Sequence, residues 1–218
     1  MIQKLRLLGA ALALSTLVLG ASGFLSDARA SSADVEATMM ATEADRYLRA
    51  AERHPKADSP EQLRLYVKAE GLAEKAIALD ENCATGHFIY FAARGRRLIS
   101  EGGLAATLKM ASLNRHLDRA LELDPNYAHA LAAKGGILLD LPFYLGGDAH
   151  EAERYLAHAV RLNPTGPGTR VTYAKALLRN GQETHARENL LRAAHYACVT
   201  RRAQVLAQAT TLLDDLDQ

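Results

Sequence analysis

Eight histidines and two cysteines are the residues of this chain best suited to hold a metal or serve as a nucleophile. Their spacing argues against a metal. His150 and His158 stand eight residues apart on one predicted helix, His185 and His195 ten apart, and His129 belongs to another helical hairpin. A zinc site on one helix needs ligands a single turn apart, as in H-E-x-x-H. His150-Glu151 begins such a pattern, but Arg154 occupies the place of the second histidine. The chain has no C-x-x-C pair and no acidic calcium loop, so the histidines are read as exposed or partly packed side chains. There is no G-x-S-x-G, no Gly-rich dinucleotide loop and no P-loop lysine.

Two glycine pairs are all that suggests phosphate binding. "EGGL" (101–104) has no following Gly-Lys and is read as a loop between helices. "LPFYLGGD" (141–148) ends in Asp148, and an acid at a helix N-terminus is electrostatically wrong for an anion. Asp148 is instead expected to N-cap the next helix, with Glu151 completing a capping box. Gly146 and Gly147 then serve a turn with positive φ, Pro142 ends the preceding helix, and the apolar tip Phe143-Tyr144-Leu145 is read first as tucking under a neighbouring repeat, with an exposed contact patch as the alternative. Asp214-Asp215 and Glu151/Glu153 read as solvated faces. No catalytic residue, metal or cofactor is expected, and the chain is read as not an enzyme.

The elements that would position any binding residues are helices. The chain has 218 residues, no tryptophan and few aromatics, and no stretch alternates with period two. Four segments share one ending: "AEKAIALDEN" (73–82), "LDRALELDPN" (117–126), "LAHAVRLNPT" (156–165) and "LLRAAHYACV" (190–199). They align on Ala76, Ala120, Ala159 and Ala193, which stand 44, 39 and 34 residues apart. Each anchor has an apolar or small residue three positions before it on the same helical face: Ala73, Leu117, Leu156 and Leu190. Asp124-Pro125 and Asn163-Pro164 stop two of these helices, since the residue before proline avoids the helical region. Opposing helices are predicted at 126–140, with Leu131, Gly135 and Leu138 on one side, and at 168–182, with Tyr173, Ala174 and Leu177.

This pattern resembles the tetratricopeptide repeat (TPR), whose period is 34 residues. Pro167 to Cys198 fits it without gaps, Ala128 to Pro164 with a five-residue insertion, and Ala84 to Pro125 with Phe91 where a small residue is usual. The first unit, roughly 34–82, opens its second helix at Ser59-Pro60. The resemblance implies an all-α, right-handed solenoid of about four helix–turn–helix repeats. Residues 199–215 would supply the capping helix that a solenoid end requires. The long second unit is also similar to the TPR-like T-component of TRAP transporters and to the TPR-like regulators of microtubule dynamics.

The repeat places Cys83 and Cys198 at the ends of second helices three repeats apart. That is on the order of 30 Å at ordinary helix spacing, against the roughly 7 Å a disulfide tolerates between Cα atoms, so two free thiols are expected.

Residues 1–30 read as a leader: Lys4 and Arg6, then an apolar run from Leu7, then Ala28-Arg29-Ala30 before a cleavage point after Ala30. The solenoid would occupy 31–218. The competing reading is an uncleaved membrane anchor over Leu7 to Leu25. Ala21 stands where a lipoprotein would carry its lipidated cysteine. Cleavage removes three cations and one anion, turning a formal charge of +1 into −1. With no basic run of five or more, no nucleic acid or anionic membrane is an expected partner. A periplasmic or secreted protein follows, with no integral membrane segment once the leader is gone.

In the TPR family the first helices line a concave groove. Carried onto this sequence, the groove positions are Thr85, Phe88, Ala92, Gly95 and Arg96; His129, Ala132, Gly136, Leu139 and Asp140; and Gly168, Val171, Lys175, Leu178 and Arg179. Phe88, Arg96, His129, Leu139, Lys175 and Arg179 are the candidate partner-binding residues. The cations would pair acidic groups of a protein or peptide. The alternative partner is a small apolar ligand or lipid in a pore between small residues.

Overall fold

The structure is a computed structural model. It describes residues 32–218, with the backbone alone for 103–108, 110 and 111. The leader and its cleavage point lie outside the described residues. Among those described, every regular element is helical: α1 (32–52), α2 (Pro60–Leu79), α3 (Ala84–Glu101), α4 (Gly103–Leu123), α5 (Ala128–Asp140), a 3-10 turn (Phe143–Leu145), α6 (Ala149–Leu162), α7 (Pro167–Arg179), α8 (Glu183–Val199) and α9 (Ala203–Leu216). No described helix is long and apolar enough to cross a membrane.

The helices pair as the repeat requires: α1 with α2, α3 with α4, α5 with α6, α7 with α8, and α9 closing the end. The four anchor alanines and their partners Ala73, Leu117, Leu156 and Leu190 are all fully buried. A small side chain at the anchor lets the next helix approach closely. The approach is tightest at Gly135 of α5, where a Cβ would stand 2.6 Å from Leu156 Cγ and 3.1 Å from the carbonyl oxygen of Ala152. The core is a chain of local clusters. One joins α1 to α5, a small one joins α5, α6 and α7, and a third joins α7, α8 and α9.

The same turn follows each of the first three anchors. Asp80, Asp124 and Asn163 each donate their backbone N–H to the anchor's carbonyl at 2.9 Å. Each then accepts on its own carbonyl from the residue three further on, which N-caps the next helix. The Asp80 and Asp124 carboxylates also accept from the backbone of Asn82 and Asn126, forming Asx turns. The fourth repeat lacks this Asx stop, and α8 runs on to Val199, closing only where Arg201 takes φ 55°.

At the start of the second helix of repeat one, Ser59 caps α2 by accepting from Gln62 N–H. Gln62 reciprocates: its side-chain oxygen accepts from the Asp58 backbone at 2.8 Å and its amide donates to Ala51 O at 2.9 Å. This satisfies donors and acceptors left over at both helix ends.

The "EGGL" stretch is shorter than a loop: Gly102, at φ 66°, is the single residue between α3 and α4. In "LPFYLGGD", Asp148 caps α6 by accepting from His150 and Glu151 N–H. The two glycines divide the work. Gly146 carries the positive φ of 90°, while Gly147 is needed because a Cβ there would lie 1.8 Å from the carbonyl oxygen of Leu141. The tip does not tuck under a neighbour: Phe143, Tyr144 and Leu145 are 90 %, 81 % and 59 % exposed. The turn closes its backbone hydrogen bonds on itself and leaves the three side chains outward.

Both cysteines are free thiols, Cys83 buried and Cys198 exposed. Cys83 ends no second helix; it is the N-cap of α3, its sulfur accepting from Gly86 N–H at 3.4 Å. Burial pushes its thiol pKa up, so thiolate is scarce there. In the native protein a thiol reagent should modify Cys198 at least tenfold faster than Cys83, and denaturant should remove the difference. Peptide mapping after timed alkylation checks this.

Candidate interaction surface

The six candidate residues separate into three kinds. Phe88 and Leu139, 9 % and 2 % exposed, belong to the core. Phe88 packs edge-on to Tyr127, ring centres 4.9 Å apart, and is stacked by His129 at 6.0 Å. Leu139 is enclosed between α5, α6 and α7. Arg179 has a structural partner: its guanidinium donates to the carbonyl of Leu139, one of the acceptors left over at the end of α5. That contact ties repeat four to repeat three. Arg96, Lys175 and His129 are exposed with no hydrogen bond or ion pair to another described residue, His129 being held only by ring contacts with Phe88 and Tyr127.

Of the remaining first-helix positions, Gly95 and Val171 are buried, while Ala92, Ala132, Gly136 and Leu178 are half-buried. The surface therefore offers His129 and the half-buried Tyr127 over the buried Phe88, half-buried small residues on the first helices, and exposed cations. Asp45 and Arg49 of α1 form a 2.5 Å ion pair on the same side, and both act on Tyr127 and His129. Burial pushes the Tyr127 phenol pKa up to about 12, opposed in part by its hydrogen bond with Thr85. Burial lowers that of His129, helped by Arg49. Tyr127 is the N-cap of α5, two residues before the first groove position taken for that helix, His129, so the carried-over positions did not include it.

Three polar arrangements were not visible in the sequence. Glu70 of α2, itself buried, accepts from Arg94 at 2.8 Å and Arg97 at 2.5 Å on α3. Arg170, 4 % exposed, donates to Pro164 O and to Asn189 Oδ1, both at 2.8 Å, with its guanidinium 5.7 Å from the Tyr196 ring centre. Burial lowers its pKa without displacing it from the cationic form.

The third is a histidine pair, His87 Nδ1 to His116 Nδ1 at 2.9 Å. His87 Nε2 lies 3.0 Å from Glu81 O, which can only accept, so Nε2 carries a proton. When His87 is neutral its Nδ1 is therefore bare, and His116 Nδ1–H donates to it. The contact needs one proton between the two Nδ1 atoms; protonating both rings at once sets donor against donor. Among the described residues no three metal-ligating side chains meet, here or elsewhere.

Burial first, then His87 and Arg115, hold His116 below the ordinary imidazole pKa, and His129 shifts the same way. Such groups bind fewer protons folded than unfolded. Their stabilising contribution is present above the unfolded value of about 6.5 and is lost as pH falls from there through the folded values. The melting temperature should therefore drop by about 3 °C between neutral pH and about pH 5, and a His116→Gln/His129→Gln variant should lose much of that dependence. Thermal melts followed by circular dichroism across that window give the check.

The comparisons with known proteins bear on this architecture. A solved structure of a thermophilic TPR protein from Thermus thermophilus matches at TM-score 0.50 and 19 % identity, covering 76 % of this chain and 88 % of the other, and agrees with the helical repeat fold. The pilF protein of Pseudomonas aeruginosa matches at TM-score 0.33 and 17 % identity, over 81 % of this chain and 93 % of its own. No curated protein matches in sequence. The model of the family described as regulator of microtubule dynamics protein 1-3 matches residues 20–136. On that match, which spans half of its length and more, this chain belongs to the regulator of microtubule dynamics protein 1-3 family.

Proposed function

We propose that this chain is a non-catalytic repeat scaffold that binds a protein or peptide along its first helices, exported to the periplasm or secreted once its leader is removed. The observation that carries the reading is the pair of exposed cations, Arg96 and Lys175, which pair with no described residue. They stand on α3 and α7, first helices that also carry the half-buried Ala92 and Leu178, with the Phe88–Tyr127–His129 aromatic group on α3 and at the start of α5. Cations not engaged by internal carboxylates suit acidic side chains of a ligand. Small residues admit an extended or helical backbone. The family description names an action on a protein assembly, which agrees with a protein partner.

The lipid-carrier alternative needs an enclosed apolar channel. The cavity of about 440 Å³ beside the 141–148 turn mixes Leu138 and Leu141 with Asp148, His150 and Arg179 and lends that alternative no support.

The test is a quantitative pull-down from envelope extract with the wild type and Arg96→Glu/Lys175→Glu, sparing Arg179 because it holds Leu139. Charge reversal should reduce recovery of specific partners at least tenfold, with the fold unchanged by circular dichroism. Identical partner profiles from the two proteins would remove the cations from the binding surface.

A further inference from the structure

The exposed tip Phe143-Tyr144-Leu145 is firmly held. Pro142 O accepts from Leu145 and Gly147 N–H, Phe143 O accepts from Gly146 N–H, and Leu138 O accepts from Asp148 N–H, all within 2.9–3.0 Å. A segment held this firmly with three large apolar side chains outward has no folding reason to expose them. Beside it, with Phe143 on the rim, opens the cavity of about 440 Å³ walled by Leu138, Leu141, Asp148 and Arg179. A projecting apolar knob and a cavity that can receive aromatic rings thus lie next to each other on one surface.

We propose that this patch is a self-association site, in which two copies of the chain pair about a two-fold axis and each seats Phe143 and Tyr144 in the other's cavity. A two-fold contact requires one patch to contain both complementary halves, and this patch does. A knob shaped for a foreign protein needs no cavity beside it.

The chemistry of the cavity fits an aromatic occupant. Leu138 and Leu141 give apolar wall, the Arg179 guanidinium can face a ring, and the Asp148 carboxylate can accept from the Tyr144 hydroxyl. Asp148 offsets Arg179, so the two copies meet without an excess of like charge in the contact. The three tip side chains expose about 450 Å², against about 800 Å² per partner in a stable interface. With the cavity walls added, the dimer is weak and concentration-dependent. The tip lies beyond the segment matched by the family model. The proposal does not depend on the groove reading, since Arg96 and Lys175 take no part in it.

The chain contains no tryptophan, so Tyr144→Trp places a single indole reporter on the tip. Sedimentation velocity on the full chain from micromolar to millimolar should show monomer passing to dimer. Phe143→Asp, at a highly exposed position, should weaken that dimerisation at least tenfold. The indole emission of the Tyr144→Trp variant should shift to the blue as the dimer forms and return on dilution. A chain monomeric throughout, or a Phe143→Asp variant that dimerises like the wild type, would overturn the proposal. So would a blue shift of the indole produced in the monomer by phosphatidylcholine vesicles, which would assign the tip to a membrane surface.

Discussion

Replacing Glu70 by alanine should lower the stability of the chain by about 3 kcal/mol, the range found when one member of a buried ionic group is removed. Among the described residues Glu70 is the only carboxylate paired with Arg94, and it shares Arg97 with Glu101, 3.2 Å away on the same helix. Deleting it leaves two half-buried guanidinium groups on α3, Arg94 with no carboxylate among the described residues and Arg97 with only the exposed Glu101. The arginines keep some access to water, which holds the loss below that of a fully enclosed pair. Glu70→Gln separates charge from shape: it retains an acceptor but not the charge, and should recover about a third of the loss. Urea unfolding of the three proteins measures both values. A Glu70→Ala midpoint equal to wild type would show that the triad is merely a surface arrangement.

Gly147→Ala should be nearly as damaging, at about 3 kcal/mol. Its Cβ would lie 1.8 Å from the carbonyl oxygen of Leu141 and 2.6 Å from that residue's carbonyl carbon. The obstacle is backbone, so no rotamer change relieves it. The turn must open, which breaks the bonds from Gly147 and Asp148 N–H to Pro142 O and Leu138 O. Gly146→Ala, by contrast, meets nothing within 4 Å and is penalised only by its φ of 90°, about 1 kcal/mol. Thermal melts of the two variants should therefore differ clearly, the Gly147 variant melting several degrees lower. Equal melting would mean that the loop has a second conformation of similar energy.

The repeat was legible because its signals are local. Ala76, Ala120, Ala159 and Ala193, their partners three residues earlier, and the Asx stops all act within one helix and its turn, where periodicity is informative. Phe88 and Leu139 were misplaced because burial at a first-helix position depends on how closely the neighbouring pair packs, and Tyr127 and Ala176 close over them in three dimensions. Arg179 was assigned to a ligand because nothing in its sequence neighbourhood reveals the spare carbonyl of Leu139, 40 residues earlier. The Glu70 triad and the His87–His116 pair join side chains 24 to 29 residues apart, and no period carries that information. The tip was expected inside because apolar residues usually are. Its turn was strong enough to keep it outside.

The turn after the first three anchor alanines sets where each second helix releases the chain. In the first three repeats the second helix ends three residues past its anchor, at Leu79, Leu123 and Leu162; in the fourth it ends six past, at Val199. The three extra residues lengthen the helix by about 4.5 Å and rotate its exit by nearly a full turn. The helix that follows, α9, nonetheless packs on α8 and α7, as α7 packs on α6 and α5. The longer fourth helix thus works as a spacer, moving the point where the chain leaves the repeat while the next helix still docks on the stack.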